Sequence, residues 1–328
     1  MTSSIRGISR LLSAILLVAG LAFAASPVGA QDWPAKPIRF IAPVPPGTGP
    51  DVDIRQIGKH LSAILGQPIV IENRPGAASR IGVEAAIKSA PDGYTFLVGT
   101  PSLTTMGALY PKLAFDPKRD LIPVSLASIT NYTLSVNAQV PAKTIAEFVK
   151  LAKSDPKYAS VGTLGVGAIN HLAAAWFNSL NGIDGNYVHY STTSPFSDLA
   201  AGQIPAIFDA MLPVMGQVKA GRVRTLAISG KSRHPLMPDV PTFAEAGYPG
   251  FDPLVWIGVL APAGTPSAIV NKMSAAISQV AKMPETVAAR RDVGSESLGT
   301  TPEEFTAFLE SERNKWGAVI KKTGLVLE

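Results

Sequence analysis

Apolar, β-favouring runs alternate with amphipathic helical stretches along most of this chain, and that alternation predicts an α/β protein with largely parallel sheets. Two observations refine the expectation. The run Ile38-Arg39-Phe40-Ile41 passes through a Pro/Gly-rich loop, residues 43–50, into a stripe of Ile54, Ile57, Leu61 and Leu65, the signature of a strand–loop–helix unit. The chain of 328 residues is also long for one hydrophobic core, so two lobes are expected, each a small sheet flanked by helices. In an open α/β sheet a strand–loop–helix junction lies at the carboxyl ends of the strands, where ligands bind. Free N–H groups and the helix dipole favour an anion there. Asp51 precedes the apolar stripe and reads as the helix N-cap, and Gly47 and Gly49 allow close backbone approach to a ligand. Thr48 offers a hydroxyl to the same place.

The N-terminal stretch stands apart from the fold. Arg6 and Arg10 precede an apolar run over residues 11–25, too short to span a bilayer, and Val28-Gly29-Ala30 has the small residues of a cleavage site. This predicts a secretory signal peptide over residues 1–30, a mature chain from Gln31, and a soluble exported (periplasmic) protein. The chain has no Cys, which leaves no disulfide framework and no thiolate metal site. Its formal net charge is +5, two units of which belong to Arg6 and Arg10. The remaining charges are scattered, with no basic stripe interleaved with aromatics, so nucleic acid is not an expected partner.

Taking the mature chain in order, residues 68–72 read as a second strand and 73–77 as a turn. Ser79 reads as the cap of a helix to about residue 89, followed by a strand over 94–98. Thr100 and Ser102 sit in a polar loop at the end of that strand. Residues 121–129 and 132–136 read as two strands, with a crossing into the second lobe near Ile129. Thr144-Ile145-Ala146-Glu147 is a capping box for a helix to about residue 153. A strand over 159–164 leads into Gly165-Val166-Gly167-Ala168-Ile169-Asn170-His171, a second glycine-containing loop that enters a helix at His171.

Residues 187–190 form a strand before the hydroxyl-rich Ser191-Thr192-Thr193-Ser194. Asp209 closes a strand over 204–208, a helix follows at 215–220 and a strand at 223–228. A short helix is expected near 243–246. A strand over 254–260 returns the chain to the first lobe, and a helix runs over 266–282. Thr301-Pro302-Glu303-Glu304 starts the last helix with Phe305, Leu309, Trp316 and Ile320 on one face and Gly324 as its stop. The lobes are therefore 31–129 with 254–328, and 130–253.

Catalytic chemistry is not visible. There is no G-x-S-x-G elbow and no H-E-x-x-H, and the four His residues lack ligand spacing. Gly230-Lys231-Ser232 lacks the earlier glycine of a phosphate loop. No metal, cofactor or enzymatic activity is expected. The alternatives in another class are an exported α/β enzyme and a ligand-sensing receptor for a signalling partner.

Several stretches together carry a resemblance. They are Trp33-Pro34 with Lys36-Pro37-Ile38-Arg39; Pro46-Gly47 with Asp51 and Arg55; Gly66-Gln67-Pro68 through Glu72-Asn73-Arg74-Pro75-Gly76-Ala77; and Ala90-Pro91-Asp92-Gly93-Tyr94. Pro238-Asp239-Val240-Pro241-Thr242, Leu260-Ala261-Pro262-Ala263-Gly264-Thr265-Pro266 and Thr301-Pro302-Glu303-Glu304-Phe305 complete the set. The set covers essentially the whole mature chain and resembles the substrate-binding proteins of tripartite tricarboxylate transporters, the Bug or TctC family. The resemblance implies a hinged, two-lobed periplasmic-binding-protein fold of type II-like form. It also implies capture of a small carboxylate by the first loop and the loop entering at His171, and delivery to membrane permease subunits. A monomer is expected.

Both loops depart from the family pattern. Gly47 and Asp51 match, whereas Gly49 and Pro50 replace hydroxyl residues. Gly165, Gly167, His171 and Leu172 match, whereas Ala168 and Ile169 stand where Ser or Thr is usual. Tyr190-Ser191-Thr192 replaces Tyr-Lys-Gly. The candidate ligand residues are Val44, Pro46, Gly47, Thr48, Asp51, Thr100, Ser102, Gly167, Ala168, Ile169, His171, Thr192, Thr193 and Asp209. In this reading the N–H groups of Gly47, Thr48 and Gly167 hold one carboxylate. Val44, Val166 and Ile169 add apolar surface, and Thr192 and Thr193 meet a far carboxylate, which favours an aromatic or longer-chain diacid such as terephthalate.

Overall fold

The computed structural model describes residues 33–190 and 195–327. The predicted signal peptide and cleavage site, and Ser191, Thr192, Thr193 and Ser194, lie outside the described residues. The chain divides into a unit ending at Ala35 and the unit Lys36–Glu328, which carries every element below.

The predicted α/β class is observed. The first unit is β1 (Ile38–Ala42), α1 (Gly49–Leu65) and β2 (Ile69–Asn73), followed by α2 (Arg80–Ile87), β3 (Thr95–Gly99), α3 (Ser102–Leu109) and the single turn α4 (Pro117–Asp120). Then come β4 (Leu121–Asn137), α5 (Ile145–Ser154), β5 (Ser160–Thr163), α6 (Ile169–Asn181), β6 (Asn186–His189), α7 (Pro195–Ala201), β7 (Ala206–Ala210), α8 (Met211–Lys219) and β8 (Val223–Ile228). The chain closes with β9 (Leu254–Pro262), α9 (Ser267–Ala281), α10 (Pro284–Asp292), β10 (Ser295–Ser297) and α11 (Pro302–Thr323).

The strands lie in the order β2-β1-β3-β9-β4-β7-β5-β6, with β8 and β10 also paired to β4. Pairing is parallel towards both ends, β1 with β2 and β3, and β5 with β6 and β7. It is antiparallel in the middle, where β9 meets β3 and β4, and β4 meets β7 and β8. The two short strands expected over residues 121–136 are one strand of 17 residues. Residues 121–131 of β4 pair with β9, and residues 132–137 pair with β7 and β8, so one strand serves both halves of the sheet. A run that changes partners along its length reads as two strands, because each half alternates against a different neighbour.

Local signals fared well where they were strong. Thr301 accepts from the Glu304 N–H and the Glu304 carboxylate accepts from the Thr301 N–H, so the predicted box is complete. Gly324 ends α11 in the left-handed region, and Phe305, Leu309, Trp316 and Ile320 are buried as their spacing predicts. The box at α5 is half formed: Thr144 accepts from Glu147 N, but the Glu147 carboxylate reaches the N–H of Lys143. Ser79 stands before α2 at φ 74, and its hydroxyl donates to Pro43 O instead of capping the helix. Residues 243–246 form a turn, not a helix. Helix α3, not anticipated, buries Leu103, Thr104, Thr105, Met106 and Leu109, and such burial leaves no polar face to mark its period. Helix α10 ties back to α1 by a buried ion pair of Arg290 with Asp53, whose other oxygen accepts from Ser128 Oγ of β4.

Candidate functional site

Two loops at strand carboxyl ends, one in each half of the sheet, carry most of the candidate residues. The first leaves β1 at Ala42. Pro45, Pro46 and Gly47 are exposed, while Val44 and Thr48 are half-buried. Helix α1 begins at Gly49, earlier than expected, with Thr48 in the cap position in place of Asp51. Pro50 explains the shift, since its fixed φ and missing N–H suit a first helical turn. Asp51 is therefore the third residue of the helix and not its cap.

The Asp51 carboxylate, 2% exposed, turns back into the loop. It accepts from Gly47 N (2.9 Å), Arg55 Nε (3.0 Å) and Asn73 Nδ2 (2.7 Å). Asn73, at the end of β2, also donates to Val44 O, and its own carbonyl accepts from Arg55 Nη2. The hydrogen bond from Arg55, helped by Asn73 and Gly47 against the cost of burial, holds Asp51 down at about 2. Asp51 is thus an ionised loop anchor that accepts three hydrogen bonds within the protein. Two of the expected carboxylate donors are spent inside this loop: the Gly47 N–H goes to Asp51, and the Thr48 hydroxyl donates to Pro45 O at 2.8 Å. The first-turn N–H groups of Gly49 and Asp51 have no carbonyl partner within the helix and remain available by geometry.

The second loop leaves β5 at Thr163. Leu164 and Val166 are half exposed, and Gly167, Ala168 and Ile169 are intermediate. Helix α6 begins at Ile169, ahead of the predicted entry at His171, with Ala168 in the cap position. Ala168 has no side-chain oxygen to offer the helix. Asn170 supplies one instead. Its Oδ1 accepts from Leu164 N and His171 N, and its amide lies 3.5 Å from Asp209 Oδ2. His171 Nδ1 accepts from Gly167 N at 3.0 Å. Burial, and secondarily His189, depresses the His171 imidazole to about 4, so at neutral pH it is uncharged and its proton sits on Nε2. Its ring packs edge-on to Tyr187 and His189.

Asp209, at the end of β7, is 6% exposed. Burial raises its carboxyl to about 6, opposed by hydrogen bonds from Ala210 N and Asn170. Thr100, after β3, and Ser102, the first residue of α3, share a hydroxyl–hydroxyl bond of 2.9 Å. Pairing leaves one of the two protons free to donate outward. Arg55, Asn73 and Asn170 organise these loops; they stand in the quoted motifs but were not among the candidate ligand residues. The i,i+4 spacing of Asp51 and Arg55 was the one readable clue; Asn73 and Asn170 act through contacts distant in sequence. Among the described residues no group of three or more His, Asp or Glu could hold a metal ion, and no helix is long and apolar enough to cross a membrane.

The chain is similar to known proteins along most of its length. Residues 54–325 match the tripartite tricarboxylate transporter family receptor. Protein BugT of Bordetella pertussis is 32% identical over 323 residues, covering 98% of this chain and 99% of BugT. Two solved structures from Rhodopseudomonas palustris are similar throughout. Rpa4515 with adipate has a TM-score of 0.81 at 30% identity, over 89% of this chain and 99% of its own. MatC with bound malate has a TM-score of 0.78 at 31% identity, over 88% of this chain and 100% of its own. The family match starts at Ile54, beyond the first loop, and takes in the second, while BugT matches over 98% of this chain; the chain belongs to the tripartite tricarboxylate transporter receptor family.

Proposed function

We propose that the mature protein is a periplasmic receptor that binds a small organic diacid without turnover and delivers it to the permease subunits of its transporter. The two lobes are residues 31–129 with 254–328, and residues 130–253, and they close on the ligand as a hinge. The observation that carries the reading is the pair of loops at strand carboxyl ends on either side of the partner change in β4. One carboxylate docks at the first turn of α1, beside the hydroxyls of Thr100 and Ser102. His171 Nε2–H is a neutral donor on the other side. Thr192 and Thr193 complete the far carboxylate subsite.

The apolar residues favour a diacid with methylenes or a ring between its carboxylates. Val44 and Ile169 are half-buried, and Leu164 and Val166 are 50% and 48% exposed, so ligand contact removes apolar surface from water. That burial is worth ~25 cal/mol per Å² before ordering costs. Adipate, held by one relative, has such a chain of methylenes, and terephthalate replaces it by a ring. Thermal shift of the chain from residue 31 against adipate, terephthalate, malate and citrate tests this. The expected order has adipate or terephthalate first, with stabilisation of roughly 2.7 kcal/mol at a hundredfold excess over Kd. A response to citrate alone overturns the ligand assignment, and steady product formation overturns the receptor reading. Ile169→Thr should move preference toward malate. Small-angle scattering should show a smaller radius with ligand bound.

A further inference from the structure

Helix α11 stops at Gly324 in the left-handed conformation. It packs on α3, which follows β3 in one half of the sheet, and on α6, which follows β5 in the other. The residues after it continue that bridge. Leu327 N donates to Leu109 O, at the end of α3, at 2.7 Å. Leu325 and Leu327 pack against the main core, while Val326 between them is 60% exposed. The Leu327 side chain lies on Gly167: a Cβ placed there would stand 2.7 Å from Leu327 Cδ1 and 3.2 Å from Leu109 Cδ1. Gly167 has φ 77, and its N–H is held by His171.

We infer that residues 325–327 are a positioning segment for the loop 164–168, bracing Gly167 from the opposite half of the sheet through Leu327 and Leu109. The inference rests on the reading of this loop as a ligand loop. The physical basis is that the loop's other restraints are polar: Asn170 and His171 hold the N–H groups of Leu164 and Gly167, and Ala168 N donates to Gly165 O. Leu164 and Val166 face solvent, Ala168 supplies no cap, and apolar contact at Gly167 comes from Leu109 and Leu327. A segment pinned to α3 and seated on Gly167 links the two halves beside the ligand. It lowers the freedom of the loop while they are together and lets go when they part.

Hydrogen–deuterium exchange on the ligand-free chain from residue 31 tests this. The variants are Leu327→Ala and a deletion of residues 326–328; the point variant keeps the test readable where the deletion fails to fold. Peptides over residues 163–171 should exchange about tenfold faster, with peptides of β1, β2 and β3 unchanged. No change at 163–171, or an equal rise in every peptide, overturns the proposal, the latter because it marks global destabilisation. With adipate as probe, the variants should raise the dissociation rate more than they lower the association rate. An intact chain that binds none of adipate, terephthalate or malate refutes the ligand assignment, while the exchange result still decides the brace.

Discussion

The two loops share one backbone device and fill it with opposite chemistry. In each, a glycine at φ 77–78 precedes the helix cap, and its N–H is taken by the side chain four residues on, in the first helical turn. In the first loop that side chain is Asp51, ionised and held at about 2 by Arg55 and Asn73. In the second it is His171, uncharged and depressed to about 4 by burial, next to Asn170 and the raised carboxyl of Asp209. The difference follows from surroundings. Arg55 reaches Asp51 from half-exposed positions, so charge is matched and partly hydrated. Around His171 and Asp209 the described polar contacts are neutral, and burial pushes each towards its neutral form. An internal acceptor at each glycine also takes away a donor that sequence reasoning assigned to the ligand.

The greatest loss should follow removal of the ionic anchor. Asp51→Ala leaves Gly47 N–H, Arg55 and Asn73 without their acceptor and should destabilise the fold by roughly 3 kcal/mol, read by urea unfolding at pH 7. Equal stability of the variant would mean the loop holds itself.

A pH profile probes the neutral loop, because its two titratable groups act with opposite signs. His171 has its folded pKa below the unfolded 6.5, so its share of stability is present above that value and is lost as pH falls toward about 4. Asp209 has its folded pKa above 3.8, so it penalises the fold above about 6 and relieves it as pH falls from there. Each is worth about 3 kcal/mol at about 1.4 kcal/mol per pKa unit, and in the native chain they largely cancel between pH 7 and 4. Asp209→Asn keeps the acceptor for Ala210 N. It should be the more stable protein at pH 7 and lose that advantage on acidification, because the share lost by His171 is then no longer offset. Parallel profiles for the two proteins would refute this. Asp51 titrates below this window: its stabilisation is lost only as pH falls from 3.8 toward about 2.

A smaller difference separates the two glycines. Gly47→Ala meets nothing within 4 Å, so it carries only left-handed strain, about 1–2 kcal/mol. Gly167→Ala carries the same strain and must also displace Leu327 and Leu109. It should be the less stable of the two by denaturant midpoint; equal midpoints would show that Leu327 gives way freely.

Features legible in the residues alone are local and repetitive. The β1–α1 unit, the capping box at Thr301 and Glu304, and the buried stripe of Phe305, Leu309, Trp316 and Ile320 each rest on contacts within a turn or two, so propensity and period express them. The motif set likewise carried the family and its type of fold. Everything else depends on how distant segments meet. Leu121–Asn137 became one strand because β9 pairs with its first part and β7 and β8 with its second. Asp51 anchors the loop in part because Asn73, 22 residues away, meets it there. Gly167 must be glycine both for its backbone angle and because Leu327, far along the chain, occupies the space of a side chain. These are contacts between segments whose proximity depends on the whole sheet, and no local pattern of residues encodes them.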